Sequence, residues 1–210
     1  MKNTTYLKKS AQAFYLLVFG YCSYLLLLLT LPYVSGTTDV GFLRIKQRFV
    51  SDTFWLTAFY VHVFSSLWVL PAGFSQFFDQ FLKKAPLWHR RIGYMYVLTI
   101  LCLAAPSGLV MAFYANGRLP AQISFGLLAL LWFYFTFRAL SAAKNKDWIG
   151  HQAFMYRSFA LTCSAITLRI WKPCLSVCTD LNPLLIYQLV AWLGWVPNLI
   201  GVELWLRFKK

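Results

Sequence analysis

The sequence is poor in acidic residues and in charge of either sign. Only 6 of its 210 residues are Asp or Glu, and charged residues together make up 12% of the chain. A soluble domain has about 25% charged and 45–50% apolar residues, whereas 60% of this chain is hydrophobic. A chain of this length has too little interior to bury so much apolar surface. The composition excludes an ordinary soluble enzyme, a disordered tail and a secreted disulfide scaffold, and it indicates a membrane protein with several crossings.

Familiar motifs of soluble chemistry are also absent. The chain has no Walker loop, dinucleotide fingerprint, Gly-x-Ser-x-Gly elbow or zincin motif. Its net charge is +14, but no basic stripe lies on a soluble segment, so nucleic acid is not an expected partner. Function has to be sought among the membrane helices.

Six apolar segments are long enough to cross a bilayer, which takes about 20 helical residues. Their approximate ranges are 11–33, 53–77, 90–114, 121–141, 151–171 and 184–206. The sequence therefore predicts an all-α fold of six transmembrane helices, forming one domain over residues 1–210 with the lipid bilayer around it.

Basic residues are unevenly divided between the two sides of the predicted bundle. With the N-terminus placed inside, 13 Lys and Arg lie on the inner side and 6 on the outer side. Because basic residues collect on the cytoplasmic side, this count predicts that both termini are cytoplasmic. The longest outer piece, 34–52, mixes apolar and basic residues, and we expect a short amphipathic helix lying on the outer interface.

Two histidines begin two of the predicted helices on the same side. His89 opens helix three and His151 opens helix five, so the two imidazoles should share one depth. If their helix faces oppose, they could supply the two axial nitrogens of a b-type haem, with Arg91 and Arg157 near the propionates. The alternative is that both are interfacial histidines bonded to loop carbonyls or lipid head groups.

A polar stripe follows one face of the second predicted helix. His62, Ser66, Gly73 and Gln76 lie within a narrow arc, which should face other helices rather than lipid. His62 is either a neutral histidine bonded across the bundle or a ligand or proton-relay group, because ionisable residues inside spans are functional candidates.

The single glutamate, Glu203, is the only acidic residue inside a predicted span. It is expected to form an ion pair, or else to be a protonatable carboxyl of a proton-coupled carrier. The candidate partners for an ion pair are Arg157, Arg91 and Arg138.

Asn198 follows Pro197 in the last helix. Proline removes a backbone hydrogen bond, so Asn198 is expected to satisfy a freed carbonyl or to bond a neighbouring helix.

Cys174 and Cys178 are four residues apart in a predicted outer loop. A disulfide and two free thiols are both compatible with that spacing, because a disulfide would need suitable loop geometry.

Four ordered blocks resemble a family of predicted bacterial multi-pass membrane proteins, known as a domain of unknown function. Leu87–Val97 resembles its His-Arg-x-x-Gly-Arg-x-Tyr block, although Tyr94 stands where arginine is expected. The other blocks are His62 with Pro71, Gly73 and Gln76; 151–162 with Thr167-Leu168-Arg169; and Trp195-Val196-Pro197-Asn198 with Glu203. The resemblance implies a six-helix protein of a bacterial inner membrane but implies no activity. A looser likeness to b-type cytochrome membrane domains is architectural.

Three functions from different classes follow from these residues. The first is a b-type cytochrome with haem b as cofactor, transferring electrons to a quinone or another redox partner. The second is a proton-coupled small-molecule transporter in which His62 and Glu203 titrate. The third is a structural or assembly subunit of a membrane complex.

Overall fold

The structure is a computed structural model that describes residues 2–209, with side chains described over 14–78 and 81–209. The side chains of Lys2, Lys8 and Lys9, which enter the charge count, lie outside those ranges. The helices are α1 (Lys2–Thr30), α2 (Thr53–Ser75), α3 (Asp79–Lys84), α4 (Pro86–Thr99), α5 (Ala105–Phe113), α6 (Arg118–Lys144), α7 (Trp148–Thr162), α8 (Ser164–Cys178), α9 (Pro183–Leu193) and α10 (Val196–Phe208). Two 3-10 segments, Leu31–Ser35 and Gly41–Phe49, follow α1, and the π-helical turn Ile100–Ala104 joins α4 to α5.

Five helical segments among the described residues are long and apolar enough to cross a membrane. They are Phe14–Ser35, Thr53–Ser75, Pro86–Phe113, Arg118–Lys144 and Pro183–Phe208, and each covers one predicted span. The predicted span 151–171 differs, because the helix is interrupted at Cys163 into two pieces of 15 residues. The all-α, polytopic architecture is confirmed, while the sixth crossing and the direction of the termini stay predictions.

Four helical units form the centre of the bundle. The α4–α5 unit packs against α2 and α6, and α7 packs against the same two neighbours, so α4 and α7 face each other diagonally. α1 packs on α2, and the α9–α10 unit packs on α6, α7 and α8. We call the end that carries His89 and His151 the histidine end, and the opposite end, covered by Gly41–Phe49, the cap end.

Large apolar side chains cover the outside of this bundle. Trp68, Phe113 and Phe137 are 68%, 70% and 51% exposed, and many other large apolar side chains among the described residues are exposed as well. An apolar surface this extensive is abnormal for a soluble monomer but is what a lipid-facing surface requires.

The outer segment differs from the predicted interfacial helix. Gly41–Phe49 is a short 3-10 segment, and its Leu43 is fully buried in a cluster with Tyr33, Trp55 and Phe59. Some of the apolar residues that were expected to contact lipid pack against the end of the bundle instead. The segment is a cap rather than a surface helix.

Lys46 is the unexpected residue of the cap. It is only 2% exposed, and its Nζ donates a hydrogen bond to the backbone carbonyl of Tyr114, where α5 ends. The rings of Phe42 and Phe49 lie 5.7 and 5.3 Å from the amine. Burial lowers the pKa of Lys46 from 10.5 to about 8. A residue that the sequence offered only as an outer charge therefore holds the cap against the α5–α6 connection.

The lowered pKa makes the stability of the cap depend on pH. Between about pH 8 and 10.5 the unfolded chain binds more protons at Lys46 than the folded one, so the free energy of unfolding rises with pH. We expect the wild type to gain about 2 kcal/mol over Lys46→Met between pH 7.5 and 9.5. Thermal unfolding of both proteins in detergent, followed by tryptophan fluorescence, measures the difference. An identical pH response in the two proteins would contradict this assignment.

Candidate functional site

His89 and His151 lie at one depth on diagonal helices. Each stands in the first turn of its helix, three residues after Pro86 and Trp148 respectively. Since α4 and α7 both start at the histidine end, their imidazoles lie at the same end of the bundle. The expectation that these two rings share one depth agrees with the helix directions.

The two rings differ in their hydrogen bonds. His151 Nδ1 lies 2.9 Å from the carbonyl oxygen of Ala139, an acceptor, so this nitrogen carries the proton and Nε2 is free in the neutral ring. His89 Nδ1 is buried and has no hydrogen-bond partner among the residues with described side chains. Buried polar atoms are rarely left without a partner, so the His89 nitrogen is a marker of a missing group.

Gln76 reaches the neighbourhood of these histidines from α2. A Cβ on Gly93 would lie 3.0 Å from Gln76 Oε1, so the glycine leaves room for this side chain one turn above His89. Gln76 Nε2 donates to Ser75 Oγ at 3.1 Å. The histidine end thus combines two imidazoles with an amide held by its own helix.

A hydroxyl network fills the centre of the bundle above the histidines. Tyr96 on α4 bonds Ser158 and Thr162 on α7, both at 2.9 Å, and Tyr96 is 1% exposed. Thr136 and Trp132 of α6 complete it, bonding Ser158 at 2.7 Å and Thr162 at 3.1 Å. Tyr96 and Ser158 lie on the same helix faces as His89 and His151. Their helical spacing from His89 and His151, seven residues in each case, was the signal available.

Arg157 and Glu203 form a bidentate ion pair between α7 and α10. Arg157 Nε and Nη2 donate to Glu203 Oε1 and Oε2 at 2.5 and 2.9 Å. The guanidinium also lies over the rings of Phe135 and Phe154, 5.9 and 5.5 Å from their centroids. Of the three predicted partners, Arg157 is the one that reaches Glu203.

Arg91 occupies a different position from Arg157. It is exposed at the histidine end, and its guanidinium lies 5.6 Å from the ring centroid of Trp88. It has no bond to Glu203, so it is free to meet a group that enters from this end.

His62 lies nearer the cap end, away from the other two histidines. Its Nδ1 is 2.8 Å from the carbonyl oxygen of Ala104, at the end of the π-helical turn. A Cβ on Gly108 would lie 3.0 Å from the His62 ring, so the glycine allows this close approach of α5. His62 and Glu203 therefore belong to opposite halves of the bundle.

Asn198 connects two breaks in helical structure. Its side-chain amide donates to the carbonyls of Ala160 and Gly194 at 3.2 and 3.3 Å, and to Thr167 Oγ1 at 3.1 Å. Ala160 precedes the interruption at Cys163, and Gly194 precedes the start of α10. The bond to Ala160 fulfils the role foreseen for the amide as a link to a neighbouring helix, and the bond to Gly194 reaches a carbonyl just before the start of α10.

The loop predicted around Cys174 and Cys178 is wrong, because α8 continues to Cys178. Both cysteines are exposed free thiols one helical turn apart, so the structure contains no disulfide there. The helix continues through Pro173, beyond the end of the predicted span at 171.

Most of the chain matches the model of one protein family. The model of the DUF2306 family, described as a predicted membrane protein, matches residues 59–206. The chain belongs to this family. The match covers the helices that carry the three histidines, the ion pair and Asn198, and it confirms the resemblance found in the sequence. No curated protein and no solved structure gives a significant match to this DUF2306 member.

Proposed function

We propose that this DUF2306 member is a b-type cytochrome that holds one haem between His89 and His151 and moves electrons within the membrane. The observation that carries the proposal is the buried ring nitrogen of His89, which lacks a partner among the described side chains and lies in the first turn of its helix, as His151 does. Two imidazoles from different helices at one depth are the arrangement that axial ligation requires.

The bond from His151 to Ala139 supports this role. A histidine that ligates a metal usually donates its other ring nitrogen to a carboxylate or a backbone carbonyl, which fixes the tautomer and the ring orientation. His151 Nδ1 donates to the carbonyl of Ala139 in that manner, and Nε2 is left as a lone-pair donor. An interfacial histidine satisfied by head groups would not need this internal bond.

The ligand set favours a haem over a bare metal ion. No group of three or more His, Cys, Asp or Glu that could hold a metal ion occurs in the described part of the chain. A structural or catalytic zinc needs three or four protein ligands. The porphyrin of a haem provides four nitrogen ligands, so the protein has to provide only two axial ligands. The haem iron would supply one-electron chemistry.

The two arginines first considered for the propionates are not equivalent. Arg157 already has both oxygens of Glu203 as partners, so it is not available to a propionate. Arg91 is exposed at the histidine end and carries no ion pair among the described residues. We therefore keep Arg91 as the propionate partner and assign Arg157 to the structure of the bundle.

Optical spectra of the detergent-purified protein from haem-replete cells test the proposal. We expect a Soret band, together with α and β bands that sharpen on dithionite reduction. His89→Ala and His151→Ala should each lose this spectrum. The matched control is His62→Ala, which removes a histidine at another depth and should keep the spectrum. A colourless wild type, or a spectrum unchanged in His89→Ala, would refute haem binding.

The proton-coupled transporter has less support from the geometry. Its two titrating groups were to be His62 and Glu203, but Glu203 is paired with Arg157 and His62 lies in the other half of the bundle. A structural or assembly subunit is the expected identity if the protein is colourless, and it predicts tolerance of all three histidine substitutions.

We also infer a sixth crossing, made by α7 and α8 together. They follow each other directly around Cys163 and run from the histidine end to the cap end, which gives even-numbered crossings and termini on one side. The excess of basic residues on that side supports cytoplasmic termini in a bacterial inner membrane.

A further inference from the structure

Two cysteines form a pair at the end of α8. Cys174 and Cys178 are four residues apart in one continuous helix, so their side chains lie on the same face, one turn from each other. Both are exposed, and neither is part of a disulfide. They stand beyond the predicted end of the span at residue 171, in the last part of α8. We call Cys174 and Cys178 the thiol pair.

The thiol pair faces away from the neighbouring helix. Lys172 and Ser176 of α8 line a cavity together with Tyr187 of α9. Successive residues of a helix are about 100° apart, so residues two positions from Lys172 and Ser176 lie on the opposite side of α8. The two thiols are therefore on the outer surface, where an ion reaches them without any rearrangement of the bundle.

Helix geometry keeps the two sulfur atoms from bonding each other. Cβ atoms four residues apart on a helix are separated by about 5–6 Å, whereas a disulfide requires about 3.5–4.5 Å. A disulfide would have to unwind the last turn, which is closed by the bond from Thr179 N to the Leu175 carbonyl at 3.1 Å. The intact helix therefore favours two separate thiols over a disulfide.

A metal ion between the two sulfur atoms fits the same helix without a change. Two metal–thiolate bonds of about 2.3 Å each allow the sulfur atoms to be up to about 4.6 Å apart. The thiols of Cys174 and Cys178 already lie close enough to form a hydrogen bond with each other. One ion could replace that hydrogen bond while the backbone of α8 stays as it is.

The number of ligands decides which metal the pair suits. No group of three or more His, Cys, Asp or Glu that could hold a metal ion occurs where side chains are described. Zinc requires three or four protein ligands, so two thiols are too few for it. Soft thiolate ligands select Cu(I), and this closed-shell ion forms stable linear complexes with two thiolates.

We propose that Cys174 and Cys178 bind one Cu(I) ion between their two thiolates at the surface of α8. Each thiol releases its proton to the solvent as its sulfur–copper bond forms. The copper stays Cu(I) throughout, so binding needs neither an oxidant nor a reductant. The site is separate from the proposed haem, since it shares no residue with it and lies at the far end of the α7–α8 unit from His151.

Equilibrium dialysis of the full-length, detergent-purified and reduced protein tests this site. The protein is dialysed without oxygen against Cu(I) buffered by bicinchoninate, and bound copper is counted by atomic emission. We expect one copper per chain. Cys174→Ser and Cys178→Ser each keep one thiol but lose the chelate, so each should lower the affinity at least about 100-fold.

The matched control is Cys102→Ser. Cys102 is also an exposed free cysteine, but it lies in the π-helical turn and has no second cysteine one turn away. Its substitution should leave copper binding unchanged. All of these variants replace exposed thiols by hydroxyls of similar size, and unchanged helical circular dichroism verifies that they fold.

Two further measurements define the chemistry of the site. Because two protons compete with one ion, the affinity for Cu(I) should fall by up to about 100-fold from pH 8 to pH 7. Zn(II) in the same dialysis should be retained no better by the wild type than by the double variant Cys174→Ser with Cys178→Ser. X-ray absorption of the copper-loaded protein should show two sulfur neighbours.

Three results would overturn the proposal. The wild type could hold no more Cu(I) than the double variant, or either single variant could keep the full affinity. One copper per two chains would mean that two copies share the ion through four thiols, which contradicts a two-ligand site. The haem spectrum is an independent readout, since none of these substitutions touches the histidine end.

Discussion

Glu203→Gln should lower the free energy of unfolding by about 2–3 kcal/mol, because it leaves the guanidinium of Arg157 without a counter-ion inside the bundle. The Arg157 side chain is only 20% exposed, and that of Glu203 is 39% exposed. A fully buried pair costs more to break, and the partial exposure of Glu203 is why we place the effect below that limit. The change should appear as a lower melting temperature, with α10 released first from α7.

A double-mutant cycle separates the pair from the cost of an orphaned charge. Arg157→Met with Glu203→Gln should be more stable than Glu203→Gln alone, because no buried cation is then left without a partner. Arg157→Met keeps a long side chain against Phe135 and Phe154, which limits the loss of packing.

The second ion pair of the described side chains is the matched control. Arg44 and Asp39 are 66% and 84% exposed, and a surface pair of this kind contributes about 0–1 kcal/mol. Asp39→Asn should therefore change the melting temperature little. Equal effects of Asp39→Asn and Glu203→Gln would contradict the assignment of the Arg157 pair to the stability of the bundle.

The sequence was most informative where composition and periodicity act over many residues. Five of the six predicted spans correspond to helices that are long and apolar enough to cross a bilayer. The pairing of Glu203 was also within reach, because a single acid in a span has few partners and Arg157 was among them. Both inferences depend on the high cost of leaving polar groups in an apolar environment.

Local breaks in the helices were not accessible in the same way. Hydropathy is continuous through Cys163, yet the helix is interrupted there. The next helix, α8, then continues through Pro173, although the predicted span ended at 171. The bonds that stabilise the interruption come from Asn198 and Thr167, and Asn198 is 35 residues further along the chain. Long-range contacts of this kind are fixed by tertiary packing, which a single sequence does not display.

The candidate sites show the same division. The sequence placed His89 and His151 at one depth from helix direction alone, but their tautomers and the free nitrogen of His89 required coordinates. Arg169 was counted in the sequence only as an outer charge, and Lys46 likewise. Lys46 proves to be almost fully buried, because the cap packs onto the end of the bundle, whereas Arg169 is exposed on α8.

Gly73→Ala should be one of the most damaging single substitutions in the core, although it adds only one methyl group. A Cβ at this position would lie 2.6 Å from Tyr96 Cε2 and 2.8 Å from Phe159 Cδ2, closer than real contacts allow. Tyr96 cannot retreat freely, because its hydroxyl bonds Ser158 and Thr162. Relief of the clash must either shift α2 away from α4 or stretch this network, and we expect a loss of about 2–3 kcal/mol.

Gly126→Ala is the matched control for this prediction, because nothing lies within 4 Å of the added Cβ on α6. In that open position alanine should stabilise the helix by about 0.5–1 kcal/mol, since glycine loses more backbone entropy on folding. The two substitutions are chemically identical and should have opposite signs in thermal unfolding. If Gly73→Ala melts at or above the temperature of the wild type, α2 can move without cost. In that case the close approach of α2 to α4 does not order Tyr96. A marked fall confined to Gly73→Ala would show that this contact holds the hydroxyl network, and with it the diagonal pairing of α4 and α7 on which the site at the histidine end depends.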